Sequence, residues 1–142
     1  MMGNILSGQS LSKPTGLLYS PTRTSYTISE LIEIANKLHK EGKLNEAILM
    51  QAVDQSDTHF TCYAMSYMSG LPSEIVTKML GSGSGKAVTS LCWEAGISMR
   101  AAVKIQRNVA KVQPNSILRA RGGNEFPLTE DDMKWQVEFY GH

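Results

Sequence analysis

The sequence predicts an all-α fold, a short helical-repeat array of about six to seven helices arranged as antiparallel pairs. Three observations predict it. Apolar residues recur at helical spacing from about residue 28 onward, glycine punctuates the periodic stretches, and one helix-stop-helix pattern occurs twice at a fixed offset. No run of alternating β-branched and aromatic residues is bounded by turns, so strands are not expected.

Residues 1–25 are rich in Ser, Thr, Gly and Pro, with Pro14 and Pro21 and no periodic apolar pattern, which is the composition of a flexible N-terminal arm. Residues 26–142 are expected to form the single helical-repeat domain. Thr27 and Glu30 make a capping box ahead of Leu31, Ile32, Ala35 and Leu38, and Gly42 stops that helix. Asn45 is placed to cap a second helix carrying Ala47, Ile48, Ala52 and Val53. Asp57 is placed to cap a third, bearing Phe60, Ala64, Tyr67 and Met68 and stopped by Gly70. Pro72 suits the first turn of a fourth, where its missing N–H costs nothing, with Ile75, Val76, Met79 and Leu80 as the apolar face.

After a loop over residues 81–85, a fifth helix is expected over about 86–95, ending at Gly96. Ser98 caps a sixth, predicted to run to about Val112 before Pro114. Residues 114–127, with Gly122, Gly123 and Pro127, read as irregular. Thr129 with Asp132 opens a last helix carrying Met133, Val137 and Tyr140.

The repeat organises these elements. Tyr67, Gly70, Leu71, Val76, Lys78 and Met79 recur 26 positions later as Trp93, Gly96, Ile97, Ala102, Lys104 and Ile105. A looser copy around Gly42, Leu44, Glu46 and Ile48 precedes them. One such unit cannot bury its apolar face alone, so neighbours are expected to stack on a shared core, with Tyr67 and Trp93 filling the seam. The Gly-Leu-Pro stop at 70–72, the glycine-rich loop at 81–85 and the stretch Leu91-Cys92-Trp93-Glu94-Ala95-Gly96-Ile97 resemble an uncharacterised bacterial family, domain of unknown function 2336. That family is common in alphaproteobacteria and is described as HEAT-like. The resemblance covers roughly residues 28–112 and implies a HEAT-like helical-repeat fold, with this chain a short member or a fragment of the repeat region. It implies no activity, and its motif positions are packing residues.

Composition narrows function. With 142 residues, 42% apolar and 19% charged, the chain has material for one globular core. A net charge of +1 supplies no long-range field for nucleic acid or membrane. Cys62 and Cys92 sit among apolar and small residues, as reduced buried thiols do. No apolar run reaches the ~20 residues of a membrane helix and no secretory leader is evident, so the cytoplasm is the expected location. Residues 3–7 match a myristoylation pattern behind a doubled Met, a match expected by chance.

No catalytic, cofactor-binding or metal-binding residues are expected. Residues 81–86 fail the phosphate-loop pattern: Leu80 stands where the first glycine belongs, Ala87 follows Lys86, and a helix rather than a strand precedes. His39, His59 and His142 are assigned no ligand role. Glu125, Glu130, Asp131 and Asp132 suit a helix N-terminus, and no nucleophile elbow is present. The sixth helix carries Arg100, Lys104, Arg107 and Lys111 on one stripe opposite Ala102, Ile105 and Val109. The turn patterns around Gly70 and Gly96 also fit a helix-turn-helix. The expected function is therefore a non-enzymatic module that binds or regulates a protein partner. The alternative is a nucleic-acid-binding regulator using the helix 98–112, and a small-ligand carrier is a third possibility. Trp135 and Phe139, if they lie outside, would form a partner-binding patch.

Overall fold

The computed structural model describes Tyr19 and residues 26–141. Among these residues the chain forms seven α-helices and no strand: α1 (Ile28–Lys40), α2 (Glu46–Asp54), α3 (Thr58–Ser69), α4 (Ser73–Leu80), α5 (Gly85–Glu94), α6 (Met99–Asn108) and α7 (Glu130–Tyr140). A short 3₁₀ turn, Pro114–Ser116, and an isolated antiparallel bridge between Arg121 and Glu125 interrupt the stretch before α7.

The helices begin where capping chemistry allows. Thr27 and Glu30 exchange side-chain and backbone hydrogen bonds, a complete capping box. Asn45, Asp57, Ser84, Ser98 and Thr129 each accept from an N–H in the first turn of the helix that follows. Pro72 sits one residue ahead of α4 rather than within its first turn. Gly42, Gly70 and Gly96 all have φ between 70° and 78°, the left-handed region that a Cβ disfavours. Past Gly42 and Gly96 the chain closes identically. The glycine N–H bonds three residues back, and the next N–H bonds five back, to Leu38 and Cys92. At Gly70, Ser66 and Ser69 hydroxyls bond Leu71 instead.

Packing is that of a helical repeat array. The α3–α4 and α5–α6 pairs stack on one another through α3–α5 and α4–α5, while α1 covers α3 and α7 covers α5. The first helices of the two pairs are the hubs. In α3, Phe60, Thr61, Ala64 and Met65 are buried, and in α5 every residue from Ala87 to Cys92 is buried. Small residues let neighbours close on α5. A Cβ on Gly85 would stand 2.5 Å from the Ser116 carbonyl oxygen and 3.0 Å from Gln106 Oε1. The glycine-rich loop therefore serves a close backbone approach, and Gly85 already belongs to α5.

The α2–α6 contact adds a closure to the array. Glu46, in the first turn of α2, accepts hydrogen bonds from the Ser98 N–H and hydroxyl, both at 2.8 Å, at the N-terminus of α6. At the other ends, Asn108 Nδ2 donates to the Val53 carbonyl at 3.2 Å. These contacts set α2 and α6 side by side and parallel.

Several expectations need correction. Helix α6 stops at Asn108, because Ala110 and Val112 fold back to donate to the Ile105 and Gln106 carbonyls, burying Val109, Ala110 and Val112. Ile32 is 38% exposed, and α2 buries Leu49 rather than Ala47. Trp93 and Tyr67 are half-buried rather than core. Tyr67 stacks on His39 with centroids 4.9 Å apart. Most of the N-terminal arm lies outside the described residues. Tyr19, which falls within it, is 3% exposed and stacks on Phe60 at 3.8 Å. No helix among the described residues is long and apolar enough to cross a membrane.

Candidate partner-binding surfaces

Helix α7 buries one residue, Met133, and half-buries Gln136, Val137 and Tyr140. Its outward side carries Trp135 and Phe139, four positions apart and hence on one face. They are 58% and 57% exposed and stack on each other with centroids 5.2 Å apart and planes 17° from parallel. Tyr140 meets Phe139 edge-on at 5.1 Å. Beside Trp135 lies an open cavity of about 410 Å³, walled by Leu128, Asp132, Gln136 and Lys86 of α5. Two large stacked aromatics, each more than half exposed, are more than the packing of α7 requires.

The basic stripe expected on the sixth helix is divided. Arg100, Lys104 and Arg107 share the outer face of α6, whereas Lys111 lies past the helix end at φ 54° and does not join them. Their neighbour is Arg119 from the following loop, which sequence reasoning missed. Arg100, Val103, Lys104, Arg107, Arg119 and Asn124 surround a groove of about 360 Å³. Among the described residues only Lys104 has a carboxylate partner there, Asp54 Oδ1 at 3.2 Å, in a pair about half-exposed on both sides. The loop is fixed by the fully buried Gln106. Its Nε2 donates to the Leu118 carbonyl at 2.9 Å and its Oε1 accepts from the Leu118 N–H at 2.8 Å.

Both cysteines are free and buried. Burial pushes the Cys92 thiol far up, with the charge of Glu46 adding to it. Burial also raises Cys62, partly opposed by its hydrogen bond with Thr77 Oγ1 at 3.1 Å. His59 and Cys62, one turn apart on α3, share an apolar groove of about 440 Å³ with Ile28, Tyr63, Leu80 and Val109. The pair stands at the i, i+3 spacing that the sequence was expected to lack in any metal-binding combination. The Cys62 sulfur engages Thr77 and the Ser73 carbonyl, not the imidazole. Among the described residues no three His, Cys, Asp or Glu side chains gather as a metal site would require. The glycine-rich loop uses its serines on helix ends: Ser82 donates to the Met79 carbonyl and Ser84 caps α5.

A family model described as an uncharacterised protein conserved in bacteria, domain of unknown function 2336, matches residues 20–131. No curated protein and no solved structure matches the chain.

Proposed function

The chain belongs to the bacterial family of domain of unknown function 2336, and we propose that it acts as a non-enzymatic, protein-binding regulatory module. In this reading its helix pairs form a HEAT-like array, and α7 presents the contact to a partner. The observation that carries it is the Trp135–Phe139 stack, exposed on a helix whose inner side buries Met133 and packs Val137 and Tyr140 against the core. Tryptophan and its neighbours dominate binding energy when they insert into a partner's pocket, because a large apolar area leaves water at little entropic cost. The protonated, buried thiols support a non-catalytic reading, since the thiolate is the nucleophile. Free thiols also suit a reducing compartment such as the cytoplasm.

The nucleic-acid alternative has the basic face of α6 in its favour. Against it, the Glu46 carboxylate occupies the N-terminus of that helix, the end that a reading helix presents to bases. A photo-reactive amino acid at position 135, introduced in a bacterium that carries this protein, tests the reading. Specific cross-links to a protein are expected from position 135 and not from exposed Gln51 on α2. Equal labelling from both positions, or none from either, would contradict it.

A further inference from the structure

We propose that the groove between α6 and the 119–124 turn docks an acidic peptide segment of the protein partner, with Arg100, Arg107 and Arg119 as its carboxylate ligands. The proposal rests on the partner-binding reading and gives that partner a charged contact separate from α7. Among the described residues none of the three guanidiniums has an ion pair, although all three line one groove. Arginine presents a planar fork that matches a carboxylate in two parallel hydrogen bonds, so converging arginines favour oxyanions over other ligands.

The surroundings favour a short acidic segment over a nucleic-acid backbone. Arg100 and Arg107 stand seven positions apart, about 10 Å along the helix. Glu46 stands at the N-terminal end of this strip and Asp54 beside its middle, so negative charge borders the α2 edge. Duplex DNA carries a charge every ~1.7 Å and would bring phosphates against those carboxylates. A peptide can place two or three carboxylates within the strip and avoid them. The remaining walls suit a peptide backbone: Val103 and Ala120 are apolar, and Gly123 has no side chain. With a net charge of +1, the protein as a whole offers little indiscriminate attraction to anions.

The test uses the full chain and fluorescein-labelled hexaglutamate, followed by anisotropy at low and moderate salt. Saturable binding is expected, weakening as salt rises. Arg107→Ala and Arg119→Ala should each raise Kd roughly tenfold, the loss of one charge-assisted contact. Lys134→Ala on α7 should leave it unchanged. Circular dichroism melts establish that each variant folds, and Arg119→Lys, which keeps the charge, should recover part of the loss. Absence of saturable binding, or equal Kd for wild type and both arginine variants, would overturn the proposal. So would tighter binding of a short DNA duplex than of hexaglutamate. Because the probe needs no natural partner, its failure beside successful cross-linking at position 135 would sink the groove alone. The reverse pattern would sink the α7 reading instead.

Discussion

Tyr19 shows how much one residue outside the periodic pattern can contribute. Its ring lies between Phe60 and Tyr26, and its hydroxyl donates to Asp57, the residue whose other oxygen caps α3. Tyr19→Ala should destabilise the fold by about 3 kcal/mol, the cost of removing a buried ring. Tyr19→Phe should cost nearer ~1 kcal/mol, because one hydrogen bond is lost and the cap remains. Chemical denaturation of the two variants checks both. The buried acids set a pH dependence. Burial raises the pKa of Tyr19, Cys62 and Cys92, so the folded state keeps protons that the unfolded state releases. Their contribution is full below the unfolded cysteine pKa of about 8.5 and is lost progressively as pH rises above it. The melting temperature should therefore be steady from neutral pH to about 8 and fall above it, more steeply past the unfolded tyrosine pKa of about 10. A melting temperature that rises with alkalinity would contradict the assignment.

At the scale of elements, the helix starts were the most legible feature, since a cap is decided within four residues. Thr27, Asn45, Asp57, Ser98 and Thr129 all cap as their positions imply. The repeat around Gly70 and Gly96 was legible too, because both positions demand a left-handed residue. What escaped depends on partners distant in the chain. Gln106 reads as one polar residue on a helix, yet it fixes the loop at Leu118, and this is what brings Arg119 to the basic groove. Lys111 was misplaced because periodicity continued to Val112, while burial of Val109 and Val112 in a turn ended the helix sooner. Gln106→Leu keeps the bulk and strips both hydrogen bonds from Leu118, leaving its N–H and carbonyl unpaired at a cost of about 1–3 kcal/mol. Amide exchange at Leu118 and along residues 117–124 should accelerate while α1 and α3 stay protected. Uniform acceleration across all helices would mean that Gln106 supports the core and not the loop.

Across the whole molecule, α3 and α5 gather the other helices onto one interior, and the bonds between α2 and α6 hold the array closed. The thiols are inside that core, and α7 leaves Trp135 and Phe139 outside. The sequence marked Trp135 and Phe139 only conditionally, since a short helix with apolar residues on several sides does not declare which side packs. If these rings exist for a partner, stability and binding must separate at this face. The most direct measurement is the melting temperature and partner affinity of Trp135→Ala/Phe139→Ala beside wild type, using the protein cross-linked at position 135. The account predicts a melting temperature moved by no more than about 3 °C, the counterpart of the ±0.5 kcal/mol expected of surface substitutions, and affinity reduced at least roughly a hundredfold, as for paired aromatic anchors. Undiminished affinity, or a variant that unfolds, would contradict it.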